Sequence, residues 1–91
     1  MLKLTLSHDA LKTWRALPAK QFNQVAVSML SLLSDPSPHD SQLLKGSSSG
    51  ARRVTVGEYR IIYAVAGDTV KIAVIGKRND DDAYRRWERK L

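Results

Sequence analysis

Arg53, Arg60, Lys77 and Arg78 are the residues whose type and spacing point most directly to chemistry. Arg53 and Arg60 flank the Gly57-Glu58 pair, and Lys77-Arg78 leave the end of the next alternating apolar segment. A hairpin followed by one more strand could therefore bring four cations to one concave patch. Like charges so close repel, and an anionic ligand relieves that cost. A phosphodiester fits best, because the planar guanidinium fork binds two phosphate oxygens at once. Tyr84, six residues beyond Arg78, could stack on an unpaired base. Alternatives stay open for both features. The arginines could be solvated, paired with the acidic run Asp80-Asp81-Asp82, or present only to discourage edge-to-edge association. Tyr84 shares a helical stripe with Trp87 and Leu91 and could simply pack the last helix down. Of the two histidines, His8 reads as a first-turn surface residue and His39 as part of a loop.

The elements that must position these residues follow from periodicity. Leu2–Leu6 alternates apolar and polar, as a half-buried strand does. Ser7 is a helix N-cap with Asp9 in the first turn, and Leu11, Trp14 and Leu17 carry a helix over residues 8–17. Pro18 opens a second helix, with Phe22, Val25, Met29, Leu32 and Leu33 along one side, and Asp35-Pro36-Ser37-Pro38 ends it. Residues 34–50 read as a loop in which only Leu43-Leu44-Lys45 is anchored. Ala51–Val56, Tyr59–Val65 and Thr69–Ile75 are strands joined by turns at Gly57-Glu58 and Gly67-Asp68. Alternation puts Arg53 and Thr55 on the open face of the sheet, Arg52 on the other, and Val70, Ile72 and Val74 together on one face. Residues 80–90 return to helix. The predicted fold is α+β in the order β-α-α-β-β-β-α, a helical hairpin on one face of a mainly antiparallel sheet, and residues 1–91 form one domain.

Composition narrows the function classes. The 91 residues carry 15 basic and 9 acidic side chains, a net charge of +6, with an isoelectric point near 10. Residues 51–91 hold ten of the basic residues, so the excess falls on the strands and last helix. Such a balance favours polyanions, or an acidic protein partner. The absence of cysteine excludes a disulfide scaffold, a thiolate metal site and a cysteine nucleophile. No hydrolase triad, phosphate-binding glycine loop or metal-ligand cluster is legible, so no cofactor is expected. The N-terminus is too short and polar for a signal peptide and no apolar run could span a bilayer, so a cytoplasmic protein without membrane partners is expected.

The ordered set Leu43-Leu44-Lys45-Gly46, Arg52-Arg53-Val54, Gly57-Glu58-Tyr59-Arg60-Ile61-Ile62-Tyr63, Gly76-Lys77-Arg78-Asn79-Asp80 and Tyr84 resembles the RelE toxins of the RelE/ParE toxin–antitoxin superfamily. The resemblance runs essentially end to end. It implies an endoribonuclease that enters the ribosomal A site and cuts mRNA by attack of a 2′-hydroxyl on the adjacent phosphate, without a metal. It also implies a cognate antitoxin, with operator DNA engaged only through that antitoxin. Position by position, Arg60 and Arg78 match arginines that hold the scissile phosphate, with Arg78 also protonating the leaving 5′ oxygen. Tyr84 matches a tyrosine that stacks on the mRNA base. Arg53 matches the first of two basic residues on its strand, and the second basic position falls on Thr55. Lys45, Arg52, Lys77, Arg85 and Arg86 are the further basic residues expected to contact substrate or ribosomal RNA. Arg85 and Arg86, with Arg89 and Lys90, would equally suit an acidic antitoxin.

Two rival readings share these features. A ParE-type toxin has the same fold but poisons DNA gyrase without enzymatic activity, and the missing cation at Thr55 favours it. A non-catalytic RNA- or DNA-binding module would satisfy the charge equally well.

Overall fold

A computed structural model describes residues 2–44, 50–77 and 85–87. Its elements are β1 (Lys3–Leu6), α1 (His8–Arg15), α2 (Ala19–Ser31), β2 (Gln42–Leu43), β3 (Arg52–Val56), β4 (Tyr59–Ala66) and β5 (Thr69–Lys77). Residues 85–87 are helical, and the rest of the expected last helix lies outside the described residues. Gly57 and Gly67 take φ of +58° and +61°. Those left-handed values suit tight two-residue hairpin turns and are resisted by residues with a Cβ. The turns fold β3, β4 and β5 into an antiparallel meander. β1 adds parallel to β5 and β2 antiparallel to β3, giving the order β1-β5-β4-β3-β2.

Ser7 joins the helical layer to this sheet. Its hydroxyl accepts from the Ala10 backbone N–H at 3.0 Å as the N-cap of α1, and donates to the Ala73 carbonyl of β5 at 2.6 Å. Trp14 stacks on Phe22 with ring centroids 4.2 Å apart and donates its indole N–H to the Phe22 carbonyl at 3.1 Å, locking α1 to α2. Beneath the hairpin, Ala10, Val25, Met29 and Leu32 pack on Val54, Ile61, Tyr63, Val70, Ile72 and Ile75. The helices and sheet therefore bury the predicted face. No helix among the described residues is long and apolar enough to cross a membrane.

Three expectations need correction. α1 stops at Arg15, and Leu17 lies in the connection to α2. Gln42 and Leu43 form a short edge strand inside the stretch read as loop. The third correction matters most for the site. β4 and β5 run in register as Ile61↔Ile75 and Ile62↔Val74, but Tyr63 then pairs with Ile72, so Ala73 is an extra residue on β5. Such a bulge reverses the facing of every residue beyond it. Val74 therefore leaves the face of Val70 and Ile72 and joins Leu44, Ala51 and Ile62 in a second cluster on the opposite side, against Ala73 and Trp87. The Ser7 hydroxyl satisfies the carbonyl that the bulge takes out of the ladder.

Candidate functional site: the arginine face of the sheet

β3 and β4 bring Arg53 and Arg60 to the sheet face away from α1 and α2, beside the second buried cluster of Leu44, Ala51, Ile62 and Val74. Arg53 lies opposite Ile62, and Thr55 opposite Arg60. The two arginines are therefore diagonal neighbours, with Cα atoms about 7–8 Å apart in such an arrangement, within reach of one phosphate. Across β4, Arg60 pairs with Gly76, which offers no side chain. Arg60 is half-buried and its Nε is shielded from solvent, whereas Thr55 is exposed. A guanidinium partly withdrawn from water interacts more strongly with an anion than a fully solvated one.

Gln42 was not singled out in the sequence. It lies opposite Arg53 on β2, and its side-chain carbonyl accepts a hydrogen bond from Nη2 of that arginine. A single glutamine in a polar stretch carries no sequence signal for this role; only the pairing of β2 with β3 reveals it.

The remaining expected site residues divide. Lys77 does not join Arg53 and Arg60. The bulge places it opposite Tyr59 on the helix-covered side, where both line a groove of about 860 Å³ with His8, Lys12 and Leu17. Arg52 also lies on that side, opposite Tyr63, and donates from Nε to the Ser41 hydroxyl at 3.1 Å. Ser41 is buried and in turn donates to the Pro38 carbonyl at 2.8 Å, so Arg52 steadies the loop before β2. Arg85 is exposed. Lys45, Arg78, Tyr84 and the acidic run at residues 80–82 lie outside the described residues.

Arg86 turns into the protein. Its side chain is 18% exposed, and its Nη2 and Nε bind the Asp9 carboxylate. The same Nη2 donates to the Thr13 hydroxyl at 2.9 Å and to the Ile75 carbonyl at 2.8 Å. β1 ends opposite Ile72, so Arg86 supplies the bond that the edge of β5 lacks further along. Asp9 and Thr13, one turn apart on α1, thereby fix the helical residues 85–87 beside Gly76, the partner of Arg60. Replacing Asp9 by alanine would take this carboxylate away from the guanidinium. Loss of a charge-assisted, partly screened bond of this kind should cost about 2 kcal/mol, read as a lower midpoint in urea denaturation.

Among the described residues, no cluster of histidines and carboxylates has the makings of a metal site. The arrangement can hold a phosphate and stabilise charge developing on it.

The sequence matches the family model described as "ParE toxin of type II toxin-antitoxin system, parDE" over residues 4–82. A search of curated protein sequences finds no match. Among solved structures, the free E. coli RelE toxin carrying two arginine-to-alanine substitutions superposes with a TM-score of 0.82 at 21% identity, covering 99% of this chain and 97% of that one. The isolated E. coli RelE toxin gives 0.76 at 23% identity over the whole of both chains. The archaeal RelE–RelB complex from Pyrococcus horikoshii gives 0.77 at 22% identity, covering 87% of this chain and 97% of that chain. These likenesses establish the shared fold.

Proposed function

The chain belongs to the ParE toxin family, within the RelE/ParE superfamily of type II toxin–antitoxin toxins, and on that premise we propose that it is a ribosome-dependent endoribonuclease that cuts mRNA in the A site. The observation that carries this reading is the pairing of Arg53 and Arg60 on one face of the sheet, with Arg60 half-buried beside a glycine. In the reaction, the 2′-hydroxyl oxygen of the substrate bonds to the neighbouring phosphorus and the bond to the 5′ oxygen breaks. The hydroxyl proton departs to solvent water, and the 5′ oxygen takes up a proton. Arg60 stabilises the charge that gathers on the phosphate oxygens, and Arg53, held by Gln42, clamps the same group. Fixed arginines suit this work, since phosphoryl transfer gains chiefly from positioning and charge stabilisation. Arg78 joins them at the phosphate and serves the leaving oxygen, while Tyr84 stacks on the base. The ribosome supplies the mRNA in the conformation the face receives, and a cognate antitoxin, like the RelB in the archaeal complex, neutralises the toxin.

Thr55 lies directly across from Arg60 and is exposed, in the place where a basic residue could accept the 2′-hydroxyl proton. A threonine cannot do so at neutral pH. Thr55→His, which places a largely unprotonated imidazole there at neutral pH, should therefore speed cleavage by about 10-fold or more, below the full range of a well-placed general base. Single-turnover cleavage on programmed ribosomes reads this directly.

The second reading, inhibition of DNA gyrase, is favoured by the ParE family match itself and by the missing base at Thr55. Adding the purified toxin to a coupled translation reaction and, separately, to a gyrase supercoiling reaction distinguishes them. The proposed function requires translation to stop with supercoiling untouched, and the reverse result overturns it.

A further inference from the structure

The bulge at Ala73 gives the molecule a second cationic surface, on the side opposite Arg60. The groove of about 860 Å³ lies between one flank of α1 and the adjoining ends of β4 and β5. His8 and Lys12, one turn apart on α1, are exposed along one wall, and the exposed Lys77 stands on the other. The half-buried ring of Tyr59 lies opposite Lys77 in register, with Gly76 alongside. Among the described residues, the acid lining the groove, Asp9, is bound by Arg86. Its charge is thus matched inside the protein, leaving the lysines and the histidine facing the cavity.

We propose that this groove binds a single-stranded segment of RNA flanking the cleaved phosphate, with Lys12 and Lys77 on its backbone and Tyr59 as the platform for a base. The inference rests on the endoribonuclease reading for its RNA ligand. Cationic grooves with an aromatic floor suit single strands, because backbone charge and base stacking contribute together without demanding a sequence. Continuity with the arginine face favours RNA over an acidic peptide. Tyr59 and Arg60 are consecutive on β4, and Gly76 and Lys77 lie beside them on β5. Among the described residues, a strand whose phosphate lies on Arg60 therefore has only the end of β4 and β5 to cross before reaching the groove. The volume accommodates about one or two nucleotides, judged against the usual range of ligand pockets.

The test uses the full chain and the double variant Lys12→Ala/Lys77→Ala, with Tyr59→Leu as a separate variant to isolate stacking. Affinity for a short fluorescent single-stranded RNA is measured by anisotropy over a series of salt concentrations, in parallel with affinity for the cognate antitoxin. Removing two backbone contacts should weaken RNA binding about 10-fold and flatten the salt slope by about 1.4. Tyr59→Leu should weaken binding about 5- to 10-fold with the salt slope unchanged, consistent with loss of one stacking contact. Antitoxin affinity should stay within 2-fold. Circular dichroism confirms that each variant is folded; the exposed lysine changes keep the test sound even if Tyr59→Leu is not. Unchanged RNA affinity and slope in the folded lysine variant would overturn the proposal, as would loss of antitoxin affinity in place of RNA affinity. A wild-type protein that binds RNA through this groove but cuts none on ribosomes would refute the endoribonuclease reading and leave the groove standing.

Discussion

Arg60→Ala should lower single-turnover cleavage of ribosome-bound mRNA by about 10²–10³-fold, the loss found when one fixed donor to a developing oxyanion is removed. The expectation follows from where the residue lies. Arg60 lies on the sheet face away from α1 and α2, diagonal to Arg53, and its Nε is shielded from water. A charge held there by the meander needs no reorganisation when the phosphate becomes more negative. Arg60→Lys separates charge from geometry. It keeps the cation but loses the fork that grips two oxygens, so it should recover only part of the rate. The half-buried stem makes a stability control necessary, and the circular dichroism spectrum should match the parent. A folded Arg60→Ala protein with undiminished cleavage would remove the arginine face from the mechanism.

The second large effect concerns the scaffold. Tyr63 is fully buried beneath α2, three residues along β4 from Arg60, and its hydroxyl donates to the Pro36 carbonyl at 2.8 Å. Tyr63→Ala should cost about 3–5 kcal/mol, as for other large aromatic truncations in cores. Small domains have about 5–15 kcal/mol in total, so the loss takes away much of the stability. The urea midpoint should fall by about 2–3 M for a chain of this size. Tyr63→Phe isolates the hydroxyl and should cost about 1 kcal/mol, because it keeps the ring and strands one carbonyl. A Tyr63→Ala midpoint within 0.5 M of wild type, an allowance of about the extrapolation error, would mean that the core closes over the gap.

The sequence carried the architecture because its periodicities are unambiguous. Ser7 before a first-turn acid, the apolar stripe from Phe22 to Leu32, and two Gly-X turns each have a local physical cause; both helices and both turns formed, with α1 ending two residues earlier than expected. Facing was harder to read. Alternation placed Arg53, Thr55 and Arg60 correctly, because β3 and the start of β4 run without interruption. It misplaced Val74 and Lys77 because Ala73 is an added residue that depends on its partner strand and on the Ser7 hydroxyl, and neither is visible in the local pattern. The pairings of Gln42 with Arg53 and of Asp9 with Arg86 span 11 and 77 residues. No spacing rule connects positions that only the closed sheet brings together. Arg86 shows the consequence most clearly, since a cation read as suited to RNA or to an acidic antitoxin is held by α1 and the edge of β5.

The two faces of the sheet end therefore have distinct parts in one account. Under the proposed function Arg53 and Arg60 act on the phosphate, and under the further inference the Lys12–Lys77 groove holds neighbouring RNA. Between them, the Asp9–Arg86 pair fixes the edge of β5. The family match to ParE toxins keeps the gyrase alternative in direct competition, so the decisive result must show chemistry on RNA. Primer extension on a defined mRNA, with and without programmed ribosomes, compares wild-type protein with Arg60→Ala. The expected result is new 3′ ends in the A-site codon that need both the ribosome and Arg60. Folded wild-type protein that leaves the message intact on programmed ribosomes would contradict it.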